Sequence, residues 1–196
     1  FLFPVRTTID TASPPREFRG VSLQYRDSIE FKIESRLTLA ARAAYYDSPE
    51  PNTGSLPPKV RHPTSYTVWL QLSSGANDLR DVELKATLGD GVAWQRTLEN
   101  SLGTVGFNPA SQEILWRIRE FPAATGVLRA PASAAVQIVL TPADNQVGTA
   151  PVILRNISVN GRDAFTDTVQ TDTVEDLTTE LRSDPGSKPG EWHVVR

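Results

Sequence analysis

The sequence predicts an all-β fold, either two packed sheets or one closed sheet, and three observations carry that prediction. Apolar and polar residues alternate over several short stretches. Gly, Pro, Asn and Asp separate those stretches at short intervals, and helical periodicity is weak almost throughout. Successive side chains of a strand point to opposite faces, so a period of two marks a strand with one buried face. Many short strands punctuated by turn residues imply a sandwich or a barrel.

Residues 1 to about 28 read as an irregular arm. Pro4, Pro14 and Pro15 cannot donate to a ladder, and alternation there is short-lived. Phe1, Leu2, Phe3 and Val5 nevertheless make the beginning of the arm apolar. An arm of this composition needs contacts to become ordered. Packing on its own domain and docking onto a neighbouring copy would both supply them, and these four residues are the candidate assembly contacts.

From Phe31 the pattern becomes regular. Phe31, Ile33, Leu37, Leu39 and Ala41 alternate with Lys32, Glu34, Arg36 and Thr38. Alanines at 40, 41, 43 and 44 invite a helix over 37–46, but the alternation argues for a strand. After a Pro-rich, turn-rich stretch over 47–58, Tyr66, Val68, Leu70 and Leu72 are expected inward, with Thr67, Trp69 and Gln71 outward. Val82, Leu84, Ala86 and Leu88 alternate with Glu83, Lys85 and Thr87, and Gly89-Asp90-Gly91 turns the chain into a strand over 92–98. Ile114, Trp116 and Ile118 form the next inward set, followed by Val136, Ile138 and Leu140, with Gln137 and Val139 outward. Asn160-Gly161 predicts a hairpin turn between 152–159 and 162–165, because both turn positions favour positive φ. A last Thr-rich strand is expected within 166–181. The expected organisation is an arm at 1–29, a domain of eight or nine strands at 30–182, and a C-terminal tail at 183–196.

Several of these stretches, in this order, are similar to a known family. Thr64-Ser65-Tyr66-Thr67-Val68, then Ser74-Gly75, then Val82 to Leu88 and Gly91, resemble the conserved-repeat immunoglobulin-like domain of bacterial cell-surface proteins. Gln112 to Ile118, Pro122 to Gly126, Ala134 to Pro142 and Val147 to Phe165 continue the likeness. It covers roughly residues 64–170, with Phe31–Ala44 as an added leading strand, and it rests on order and spacing more than on any single motif. Ser73-Ser74-Gly75 departs from the family's Asn-Thr-Gly turn, and Leu88-Gly89-Asp90-Gly91 lacks its usual proline. The resemblance implies an immunoglobulin-like antiparallel β-sandwich, to which the flanking segments add extended N- and C-terminal arms. It also implies an extracellular module that serves as spacer, stalk or adhesive surface and brings no catalytic residues.

Composition narrows the function classes further. The 196 residues suffice for one substantial domain plus flanking arms. A net charge of −3 gives no reason to expect nucleic acid or an anionic membrane as partner. No apolar run approaches the roughly 20 residues that span a bilayer, so membrane insertion is not expected. Cysteine is absent, which removes thiol catalysis and thiolate metal sites. Position 1 is Phe instead of Met, which leads us to expect a processed chain or a fragment.

The chemical inventory is sparse. His62 and His193 are the two histidines, and neither accompanies a G-x-S-x-G nucleophile motif. No phosphate-cradling or dinucleotide-binding glycine loop is present. Asp163, Asp167, Asp172 and Asp176 have the carboxylates calcium favours but not EF-hand spacing, and they read as the solvated face of an edge strand. Lys32 and Lys85 fall outward and Lys59 and Lys188 lie in Pro-rich loops, so a Lys–Asn isopeptide staple has no evident site. Asn156-Ile157-Ser158 is a glycosylation sequon, meaningful in a secreted protein. Trp69, outward on its strand, is the candidate exposed aromatic for stacking a sugar or a partner.

The sequence therefore predicts a secreted, non-catalytic structural protein without cofactor or metal. It would be a subunit of a surface assembly or filament joined through its arms, with other copies or adjacent surface domains as partners. A passive spacer or stalk, and an adhesin taking a glycan or protein ligand, are the alternatives.

Overall fold

The computed structural model describes residues 2–10, 16–18 and 24–196, with only the backbone of Phe18. Phe1 lies outside the described residues. Twelve strands are present among them. Two form a separate antiparallel ribbon, β1 (Leu2–Asp10) and β2 (Gln24–Lys32). The rest build two antiparallel sheets. One contains β3 (Leu37–Ala44), β4 (Thr64–Ser74), β9 (Ala132–Leu140) and β6 (Val92–Asn100), in that order. The other runs β11 (Val169–Val174), β10 (Val152–Asp163), β5 (Leu79–Leu88), β8 (Glu113–Phe121) and β7 (Thr104–Asn108), with β12 (Leu177–Thr178) also pairing β10. No helix is long and apolar enough to cross a membrane among the described residues.

The sandwich core is made by the alternating residues the sequence singles out. Tyr66, Val68, Leu70 and Leu72 of β4 face Val82, Leu84, Ala86 and Leu88 of β5 and Ile114, Trp116 and Ile118 of β8, all buried. Trp116 also donates its indole N–H to the Leu102 carbonyl at 2.7 Å, so its polar atom is satisfied in an apolar layer. The alanine-rich stretch is strand β3, as its alternation predicts.

Four expectations are corrected by the fold. Residues 2–10 and 24–32 are not irregular but a continuous ribbon of nine residue pairs. Pro4 fits because each strand of a two-stranded ribbon has one open edge, where a missing N–H is tolerated. The strand expected to run on from Phe31 is interrupted at residues 33–36, so Phe31 and Ile33 are exposed while Leu37 and Leu39 are buried.

Asn160-Gly161 does not turn the chain; β10 runs straight through it. Gly161 is needed there for a different reason, because a Cβ would stand 2.8 Å from Val82 Cγ2. Thr67 and Gln137 face away from the core, as their phase predicts, and are buried there beneath the loop over residues 47–58. Asn52 Nδ2 donates to Thr67 Oγ1 at 3.0 Å, and Gln137 Nε2 donates to Asn52 Oδ1 at 3.0 Å.

The C-terminal segment is not an extended arm. Gly148 N–H donates to the Val194 carbonyl, Val194 N–H to Thr149, Val195 N–H to Pro58, and Val60 N–H to Val195, all at 2.9 Å. Val194 is buried as a result.

Candidate assembly surface

The ribbon has two unlike faces because opposite residues of an antiparallel pair share a side. On one face stand the pairs Phe3/Phe31, Val5/Ile29 and Ile9/Tyr25, with Thr7/Asp27 as the polar pair among them. On the other stand Leu2/Lys32, Pro4/Glu30, Arg6/Ser28, Thr8/Arg26 and Asp10/Gln24. The six apolar residues of the first face are between 39% and 62% exposed. With three half-exposed aromatics among them, that face presents on the order of 600 Å² of surface. A patch of about that size is at the top of the range found on folded monomers, where the largest patch is often functional. A two-stranded ribbon alone is marginal in water, so this one needs a covering surface to be stable. Of the candidate contacts read from the sequence, Phe3 and Val5 lie on the apolar face and Leu2 lies on the other.

The ribbon joins the sandwich at a polar hub. Asp163, fully buried at the end of β10, accepts hydrogen bonds from Ser35 N–H (2.5 Å), Asn77 Nδ2 (2.8 Å), Phe165 N–H (2.8 Å) and Thr166 N–H (3.0 Å). Asn77 Nδ2 also donates to the Ile33 carbonyl at 2.8 Å, and Gln170 Nε2 donates to Glu34 at 3.2 Å. Lys32 Nζ lies 4.9 Å above the Phe165 ring. Burial alone would push the Asp163 carboxyl up, but the hydrogen bonds from Asn77 and the Ser35, Thr166 and Phe165 amides outweigh it and lower its pKa to about 2.

Asp163 is therefore no part of a solvated acidic face, which corrects the reading of that cluster. Asp172 departs from it as well, accepting the Leu39 N–H at 2.8 Å and so tying β11 to β3 across the sandwich edge. Asp184 repeats the device further along, taking the Tyr45 and Tyr46 amides at 2.6 and 2.8 Å. Asp167 and Asp176 do remain exposed. The sequence signal for these anchors is weak, since an aspartate that caps a distant amide looks like any other.

Trp69 lies on β4 facing away from the core, as its phase predicts, but it is half-buried. Its indole N–H donates to the Asp47 carbonyl at 2.9 Å, and the Arg42 guanidinium lies 5.4 Å from the ring centroid. The hollow beside it, lined by Ala40, Arg42, Trp69 and Gln71, holds about 80 Å³, well under the few hundred Å³ of an ordinary ligand site.

A larger cleft of about 480 Å³ includes Asp78, Arg80, Glu120 and Arg129. There Asp78 accepts the Ala123 N–H and Arg80 pairs with Asp167, which are loop-holding contacts. His62 and His193 are both exposed, and His62 Nδ1 contacts the Val60 carbonyl at 2.9 Å. All four lysines are exposed. Among the described residues no group of three or more His, Cys, Asp or Glu is placed to hold a metal ion.

No protein-family model and no curated protein sequence matches the chain. Solved structures do show similar architecture. The full-length major pilin SpaD of Corynebacterium diphtheriae matches 72% of this chain with 35% of its own, at 12% identity and a TM-score of 0.45. The major pilin subunit BcpA of Bacillus cereus matches 88% with 47%, at 7% identity and a TM-score of 0.47. An exo-β-N-acetylglucosaminidase of Vibrio harveyi matches 74% with 18%, at 8% identity and a TM-score of 0.35. This chain thus spans less than half the length of each. Two pilins and an enzyme share these likenesses, and at such identities and TM-scores they carry no conclusion about this chain.

Proposed function

We propose that this protein is a non-catalytic structural subunit of an extracellular surface assembly or filament, and that it joins copies of itself through the apolar face of the β1–β2 ribbon. The observation that carries this reading is the set Phe3, Val5, Ile9, Tyr25, Ile29 and Phe31, aligned on one face and left uncovered by the chain's own sandwich. Large aromatic side chains grouped in this way are the usual energetic centre of a protein interface. The sandwich supplies a rigid body and the Asp163 hub holds the ribbon to it. An adhesin acting through Trp69 has less support, because Arg42 lies over the ring and the hollow beside it is small.

Light scattering at several concentrations tests the reading. The wild-type chain is expected to gain mass as concentration rises, and Ile29→Asp, which places a charge in the middle of the apolar face, is expected to remain monomeric. A wild-type chain that stays monomeric throughout would make it a spacer instead.

A further inference from the structure

A ribbon that joins copies needs a receiving surface with matching deficits, an unpaired strand edge beside an incompletely covered apolar strip. The β6/β7 side of the sandwich has both. β7 pairs with β8 on one side and has no ladder on the other among the described residues. β6 ends the four-stranded sheet in the same way, but register shifts at Trp94/Arg96 and Thr97/Glu99 interrupt it, and such irregularities discourage further pairing. The register of β7 on β8 is unbroken. Between the two edges Trp94 and Phe107 stack with centroids 5.6 Å apart, and with Leu102 and Val105 they are half-buried against the core. Gly106, in the middle of β7, has open space where a Cβ would stand.

Resting on the assembly role proposed above, we infer that β2 of one copy pairs with the free edge of β7 in a second copy and lays the ribbon's apolar face over Trp94 and Phe107. Phase agrees with this seat. Val105 and Phe107 pack toward the core while Thr104 and Gly106 face outward. A strand β2 added alongside would set Tyr25, Ile29 and Phe31 inward and Arg26, Ser28 and Glu30 outward. β2 contains no proline, whereas β1 carries Pro4.

The ribbon face and a like area on the receiving copy together bury about 1,200 Å², the lower bound for a specific interface. Strand addition supplies main-chain hydrogen bonds as well. Ribbon and seat lie on opposite sides of the sandwich, since the ribbon leads into edge strand β3 and the seat is formed by edge strands β6 and β7. Such a contact is heterologous and head-to-tail, so it repeats from one copy to the next.

The chain has no cysteine, so single ones report contacts without interference. Gly106→Cys is mixed in turn with Arg26→Cys, Ser28→Cys and Glu30→Cys and oxidised mildly, with circular dichroism confirming that each variant is folded. At least one mixture is expected to give a mixed disulfide about ten-fold above Gly106→Cys with Thr171→Cys, which sits on the opposite edge, and Ile29→Asp on the ribbon chain should remove that excess. Ribbon-dependent growth in mass without any such disulfide would overturn the β7 seat and leave the assembly role standing. A chain that never associates would overturn both.

Discussion

Phe31 and Leu37 belong to one apolar alternation in the sequence, yet Phe31 is 52% exposed on the ribbon and Leu37 is 2% exposed in the sandwich. Both lie in regular strands with a polar face opposite an apolar one. Alternation records which side of a strand is apolar; it carries no information on whether anything lies against that side. In β3 the second sheet does, whereas Tyr25, Ile29 and Phe31 of β2 stay more than half exposed.

The comparison can be broken first in the core. Trp116→Ala should cost about 3–5 kcal/mol, because it opens a cavity and leaves the Leu102 carbonyl without its donor. Urea denaturation would measure this, and a cost below about 1 kcal/mol would show that the core is not packed as described.

The hub between the two regions comes next. Asp163→Asn should cost about 2 kcal/mol at neutral pH, the equivalent of a carboxyl lowered from 3.8 to about 2. The folded pKa lies below the unfolded one, so this contribution is fully present above the unfolded value and is lost as pH falls through about 2. Wild-type and variant stabilities should therefore converge between about pH 4 and pH 2, and a gap independent of pH would contradict the assignment.

A smaller effect of opposite sign is expected at Tyr66. Its buried hydroxyl finds no hydrogen-bond partner among the described residues, and burial raises its pKa. Tyr66→Phe should leave stability unchanged or raise it by up to about 1 kcal/mol in the same assay. The smallest effect belongs to the ribbon. Under dilute, monomeric conditions Ile29→Asp should shift stability by less than about 0.5 kcal/mol, while at higher concentration it is expected to prevent the proposed association. A large loss of monomer stability would mean that this face is covered within the chain.

Much of the sandwich was legible in the sequence. Strands β4, β5, β8 and β9 were read with the correct phase, because each packs one continuous apolar row against the opposite sheet. The sequence alone did not reveal β7, whose five residues include Gly106 and alternate weakly, or the ribbon, where Pro4 argued against pairing. Of the candidate assembly surface, Phe3 and Val5 are legible as apolar in the sequence, whereas Leu2, apolar too, falls on the other face. The partners Tyr25, Ile29 and Phe31 on the facing strand follow only from register.

Short-range alternation and turn composition by themselves determined an all-β chain, the inward rows of its core and most loop positions, because those depend on neighbours two to four residues away. Tertiary structure alone decided that Asn160-Gly161 continues a strand, since Val82 leaves no room for a larger residue than Gly161. It also decided that Asp163, Asp172 and Asp184 serve as buried or edge-capping acceptors, and that the tail folds back while the ribbon stands clear. Each of these depends on atoms brought together from distant parts of the chain, 128 residues apart in the bond from Ser35 to Asp163, and no local pattern encodes such a meeting.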